Sequence, residues 1–184
     1  KVDIYSVETG LSSLGIDLGS RNVFPLNEPK AMMLIGTGTR AYEAGEVWHL
    51  LDQRVGMPIS KIPLRNFDNV TFDKYNVLVI VSGNYKLTDD QIEKIKNWAE
   101  KGNTIISIGS GSKFLIDKKI VDESILEKKE SNEIGYLAYG DARENRGKEQ
   151  IGGVILKSKI DLTHPLSFGY EDELLPVYKN LSLI

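Results

Sequence analysis

A chain of 184 residues with 41% hydrophobic and 27% charged side chains has the make-up of one globular domain with a real core. A net charge of −3 argues against a nucleic-acid or anionic-membrane surface, which needs clustered Lys and Arg; Lys118-Lys119 and Lys128-Lys129 are interrupted by acids and read as solvated faces. The absence of cysteine excludes disulfides, thiolate metal ligands and a cysteine nucleophile, and no apolar run approaches the roughly 20 residues of a membrane span.

Residues 1–29 read as a lead-in or an N-terminal flap, punctuated by Gly10, Gly15, Gly19, Pro25 and Pro29. The opening Lys1, in place of Met, is what a trimmed or mature fragment would show. From Ala31 the pattern changes to alternating strands and helices. Residues 31–35 are a short apolar strand, and Gly36-Thr37-Gly38-Thr39-Arg40 is the loop after it. Residues 43–55 predict a helix, with Ala44, Val47, Trp48, Leu51 and Val55 on one side and Gly56 and Pro58 ending it.

Residues 59–64 alternate like a half-buried strand, and 75–81 are nearly all apolar, like a central strand covered on both faces. Thr88-Asp-Asp-Gln91 is a capping box opening a helix whose Ile92, Ile95, Trp98 and Ala99 form a core stripe; Lys101-Gly102 stops it. Residues 104–108 predict the next buried strand. Such a β-α-β-β-α-β run builds a three-layer α/β sandwich with a mainly parallel sheet.

Beyond Ile116 the pattern weakens. Residues 117–130 hold room for a short helix, 140–153 for a charged loop, and 151–156 and 174–177 for short strands. In the turn 163–170, Phe168 and Tyr170 are expected to pack on the sheet. Asp141, Arg143, Glu144 and Arg146 form a mixed-charge loop, solvated or set against a neighbour.

Four constellations bear on chemistry. The loop Gly36, Thr37, Gly38, Thr39, Arg40 lies between a strand and a helix, where small residues let backbone N–H groups approach an anion. Its Thr-Gly-Thr core is similar to a flavodoxin phosphate loop, and it lacks the Gly-Lys-Ser/Thr of a Walker sequence. The competing reading is a tight connection with Arg40 on the surface. His49, Asp52 and the distant His164 echo a zinc pattern, but Asp replaces the usual Glu and the pair lies among core residues, so a hydrogen-bonded or surface histidine is favoured.

Ser107, Ser110 and Ser112 cluster at the turn around the end of the strand 104–108, with His164 as a distant candidate partner; the elbow spacing is wrong for a serine hydrolase, and Ser and Gly there also suit a tight turn. Asp161-Leu-Thr163-His164-Pro165 has the residue types of a structural turn.

Three blocks carry a resemblance to a known family: Glu46-Val-Trp-His-Leu-Leu-Asp-Gln-Arg-Val-Gly-Met-Pro-Ile59, Tyr139-Gly-Asp-Ala-Arg143 and Asp161-Leu-Thr-His-Pro-Leu166. Together they resemble the C-terminal domain of certain large bacterial zinc carboxypeptidases. The N-terminal part of those proteins is similar to carboxypeptidase A, and the C-terminal part to a class I glutamine amidotransferase. The likeness covers about residues 30–184, with 1–29 as the interdomain segment.

The resemblance implies a flavodoxin-like, class I glutamine amidotransferase-like fold. That family's elbow is Gly-x-Cys-x-Gly at the end of a buried strand. Here the run is Ser107-Ile108-Gly109-Ser110-Gly111, with Gly109 at the Cys position and no His-x-Glu near the C-terminus. Glutamine hydrolysis needs that thiolate. The implied domain is a pseudoenzyme with no catalytic residue of its own and a degenerate elbow at Gly109, Ser110 and Gly111. No cofactor or metal is expected in this chain. Zinc and its ligands belong to the upstream peptidase domain, which is the implied partner in the same polypeptide. A periplasmic or secreted setting is implied for the parent, and homo-oligomerisation is left open. The alternatives are a binding module for a small anion or phosphate, using residues 36–40, Ser110 and Ser112, and a serine hydrolase.

Overall fold

The computed structural model describes residues 5–23, 27–125, 138–141, 144 and 153–179. Contacts divide the chain into two compact units, Lys1–Ile120 and Val121–Ile184.

The first unit is a three-layer α/β sandwich. Its strands are β1 (Ala31–Ile35), β2 (Ile59–Pro63), β3 (Val77–Ile80) and β4 (Thr104–Ser107). Its helices are α1 (Ala41–Trp48), α2 (Asp89–Glu100) and α3 (Ser110–Asp117). All strands run parallel in the order β2-β1-β3-β4, with Ala31 opposite both Ile59 and Val77, and Val77 opposite Thr104.

Alternation along the central strands sends side chains to two cores. Met32, Leu34, Leu78 and Ile80 pack with Ile95 and Trp98 of α2 and Phe114 and Leu115 of α3. Ala31, Met33, Val79 and Val81 pack on the other face with Ala44, and Val47 and Trp48 close over them. Both faces of β1 and β3 are thus covered, which is why residues 31–35 and 77–81 are apolar without a break. Truncating a fully buried side chain such as Leu78 is expected to cost about 2–5 kcal/mol.

Aromatic packing fixes α2. Phe72 stands 5.2 Å from Phe67 and 5.9 Å from Trp98, centroid to centroid. The Trp98 indole N–H donates to the Phe72 and Tyr75 carbonyls at 3.2 and 3.3 Å. The capping box forms as the sequence predicts: Gln91 N–H donates to Thr88 Oγ1 at 3.3 Å, and Thr88 N–H to Gln91 Oε1 at 3.0 Å. Asn76 ties the approach to β1, accepting from Lys30 N–H at 2.7 Å and donating to the Glu28 carbonyl at 2.9 Å.

Several expectations change. In place of one α-helix over 43–55, α1 ends at Trp48 and a π-helical stretch, His49–Val55, follows it to a left-handed Gly56. Wider i→i+5 turns rotate later residues off the stripe, so Val55 faces solvent. Among the described residues β4 has β3 as its one sheet neighbour, so the strand at 104–108 is an edge, not a buried strand, and Ile106 is 47% exposed. A β-branched run does not reveal an edge position.

The second unit contains an antiparallel ribbon, β5 (Val154–Lys159) against β6 (Leu174–Lys179), with Val154 opposite Lys179. In the turn between them, Asp161 Oδ1 accepts from Thr163 N–H and Oγ1, and His164 Nδ1 accepts from Leu166 N–H at 3.2 Å. Phe168 and Tyr170, expected to pack on the sheet, are exposed, and backbone hydrogen bonds within 164–170 close the turn. Most of the stretch 117–130 beyond Glu123, and Arg143 and Arg146, lie outside the described residues. Among the described residues no helix is long and apolar enough to cross a membrane.

Candidate functional site

Three loops meet at the carboxyl ends of the strands, where open α/β sheets place their sites. They are 36–40 after β1, 82–85 after β3 and 108–110 after β4. Glycine permits their close approach. A Cβ on Gly83 would stand 2.5 Å from the Gly38 carbonyl oxygen, and one on Gly38, which has φ of +94°, 2.5 Å from the Asn84 carbonyl oxygen. Asn84 N–H donates to the Gly38 carbonyl at 2.7 Å, and Arg40 N–H to the Ser82 carbonyl at 2.8 Å.

The turn from β4 to α3 is an elbow. Gly109 has φ 55° and ψ −130°, a combination that strains any residue with a Cβ. Elbows that present a nucleophile use such a sharp strand-to-helix turn. Two residues on, a Cβ at Gly111 would stand 2.6 Å from the Ile80 carbonyl and 2.8 Å from that of Val81, so α3 lies directly on the end of β3. The turn is elbow-shaped, but its apex carries no side chain. A Cβ built on Gly109 collides with Ser82 Oγ.

Ser82 is buried and central. Its N–H donates to Glu43 Oε2 at 2.8 Å, and its Oγ accepts from Ser110 N–H at 3.0 Å. Ser110 Oγ accepts from Gly83 N–H at 3.1 Å. Arg40 Nη1 lies 3.3 Å from Glu43 Oε1. Burial pushes the Glu43 carboxyl up, but hydrogen bonds from Ser82 and the adjacent Arg40 outweigh it and hold the group below the usual carboxylate range. Burial pushes the neighbouring Tyr85 phenol up to about 12, and the Glu43 charge adds to this. Its O–H donates to the Val81 carbonyl at 2.7 Å.

The structure therefore brings Arg40, Gly109, Ser110 and Gly111 together with two residues the sequence reading passed over, Glu43 and Ser82. Glu43 is the one acid in the first turn of α1, directly after the glycine-rich loop, and that position was the available signal. The Gly36–Arg40 loop closes on itself: Thr39 N–H and Oγ1 donate to the Gly36 carbonyl at 3.0 and 2.8 Å. Ser107 and Ser112 bond to each other at 2.9 Å. Among the described residues no carboxylate or imidazole is hydrogen-bonded to the hydroxyls of Ser107, Ser110 or Ser112.

His49 is exposed, and Asp52 accepts from Gln53 at 2.6 Å. Among the described residues no group of three His, Asp or Glu side chains could hold a metal ion. No protein-family model matches the chain, and no curated protein matches it.

Proposed function

We propose that this chain is a non-catalytic, amidotransferase-like accessory domain of a secreted or periplasmic zinc carboxypeptidase. The observation that carries the reading is Gly109. It sits at the apex of a strand-to-helix elbow, with the nucleophile's own volume filled by Ser82 Oγ. The backbone N–H of Ser110, which in a working elbow would face an oxyanion, is bonded to that hydroxyl. Acyl transfer needs an attacking group at this point, and none has room.

The strand order β2-β1-β3-β4 agrees with the first four strands of a flavodoxin-like sheet. On this reading the domain packs on an upstream peptidase domain and helps position substrate. The zinc chemistry belongs to that domain.

Two measurements test the proposal. Glutaminase or esterase turnover by this chain, abolished by Ser110→Ala, would overturn the non-catalytic part. An antibody raised to this chain, used on fractionated source cells, tests the accessory part. A band far above 20.6 kDa in the periplasm or medium is the expected result. A band near 20.6 kDa would overturn it.

A further inference from the structure

We propose that a cavity of about 450 Å³ beside α1 is a binding site for a small apolar carboxylate. The cavity lies on the α1 face of the sheet and does not depend on the accessory-domain reading. Its volume falls in the range of small-molecule sites, about 300–1,000 Å³.

The floor is Met33 and Ile35 of β1, with Lys61 of β2 alongside, since Lys61 pairs with Met33 in register. The wall is Ala44, Gly45 and Trp48 of α1.

Gly45 is the informative residue. It lies inside a helix, where alanine would hold the backbone better. It does not have a positive φ, and a Cβ built on it meets nothing within 4 Å. Neither backbone conformation nor close packing explains the glycine. Gly45 is exposed and lines the cavity, so a larger side chain there has open space to enter.

The lining is almost wholly apolar, with one charged side chain. Lys61 Nζ stands 4.2 Å from the Trp48 ring centroid and makes no ion pair among the described residues. Arg40, the nearest other cation in sequence to this wall, is held by Glu43. An aromatic or aliphatic body on Trp48 and Ile35, with an anionic end at Lys61, satisfies both features. A carboxylate fits this single point charge, whereas a phosphate would call for further donors.

The test uses the full 184-residue chain, labelled with ¹⁵N, and three probes of one shape: 4-phenylbutyrate, 4-phenylbutanamide and 4-phenylbutylamine. Saturable shifts are expected at the amides of Ile35 and Gly45 and at the Trp48 indole N–H. The acid should bind about three- to tenfold tighter than the amide, and the amine weakest. Gly45→Leu should fill the cavity and remove these shifts while the spectrum stays dispersed. Lys61→Met keeps the apolar lining, so acid and amide should bind it alike. Absence of saturable shifts with all three probes, shifts that persist in a folded Gly45→Leu chain, or no preference for the acid in the parent chain would each overturn the proposal.

Discussion

Ser82 Oγ occupies the space that a side chain at Gly109 would need, and it does so while accepting a hydrogen bond from Ser110 N–H at 3.0 Å. The elbow is therefore filled from a neighbouring strand end. A substitution at Gly109 has two costs. The left-handed backbone strains any β-carbon by about 1–3 kcal/mol, and the collision adds about as much.

Gly109→Ala should accordingly destabilise the chain by about 2–5 kcal/mol in urea unfolding. Ser82→Gly alone should cost about 1 kcal/mol, since Ser110 N–H loses its partner. The double variant should recover 1 kcal/mol or more of the sum (order of magnitude, about one coupled contact). Strict additivity would show that the two residues do not compete for the same volume.

Glu43 gives the site a pH signature. Its carboxyl is held below its ordinary value of 4.5 in the folded chain. Its contribution is therefore complete above that pH and is lost as pH falls through the lower folded value. Glu43→Gln should be less stable than the parent near neutral pH, by about 1 kcal/mol, and the gap should close in acid. A gap that stays constant across that window would mean Glu43 is not held as an anion by Ser82 and Arg40.

Tyr85 works in the opposite direction. Its phenol is raised from 10.0 to about 12, so burial of the neutral form stabilises the fold below pH 10.0 and ceases to as pH rises through the folded value. Tyr85→Phe should lose about 1 kcal/mol at neutral pH with the bond to the Val81 carbonyl. Its stability should then fall less steeply than the parent's between pH 10.0 and about 12. Parallel alkaline limbs would contradict the assignment.

The Thr88 cap offers a control far from the elbow. Thr88→Ala should cost about 1 kcal/mol and leave the pH dependence of Glu43 untouched. Thermal unfolding of both variants across acid pH separates the two effects.

Much of the first unit was legible in sequence because its signals are local. Residues 31–35 and 77–81 lack polar positions because both faces are covered, and that burial leaves a mark on every residue. Thr88 and Gln91 announce a helix start because the cap closes within four residues. The π-helical stretch at His49–Val55 was not legible, since its side chains still recur at near-helical spacing. The edge position of β4 was hidden because Ile105 and Ile106 look alike in sequence, while Ile105 packs on the α2–α3 core and Ile106, level with Val79 in the sheet, is left exposed.

The sequence by itself determined that position 109 carries no side chain and that the chain has no cysteine, because both are facts of composition. Only the tertiary structure decided what stands there instead. Glu43 stands in the first turn of α1, Ser82 follows β3 and Gly109 follows β4, and their sequence separations of 39 and 27 residues carry no periodic or motif signal. Parallel strands deliver their carboxyl ends to one edge, and the contacts made there are properties of the sheet, not of any one segment.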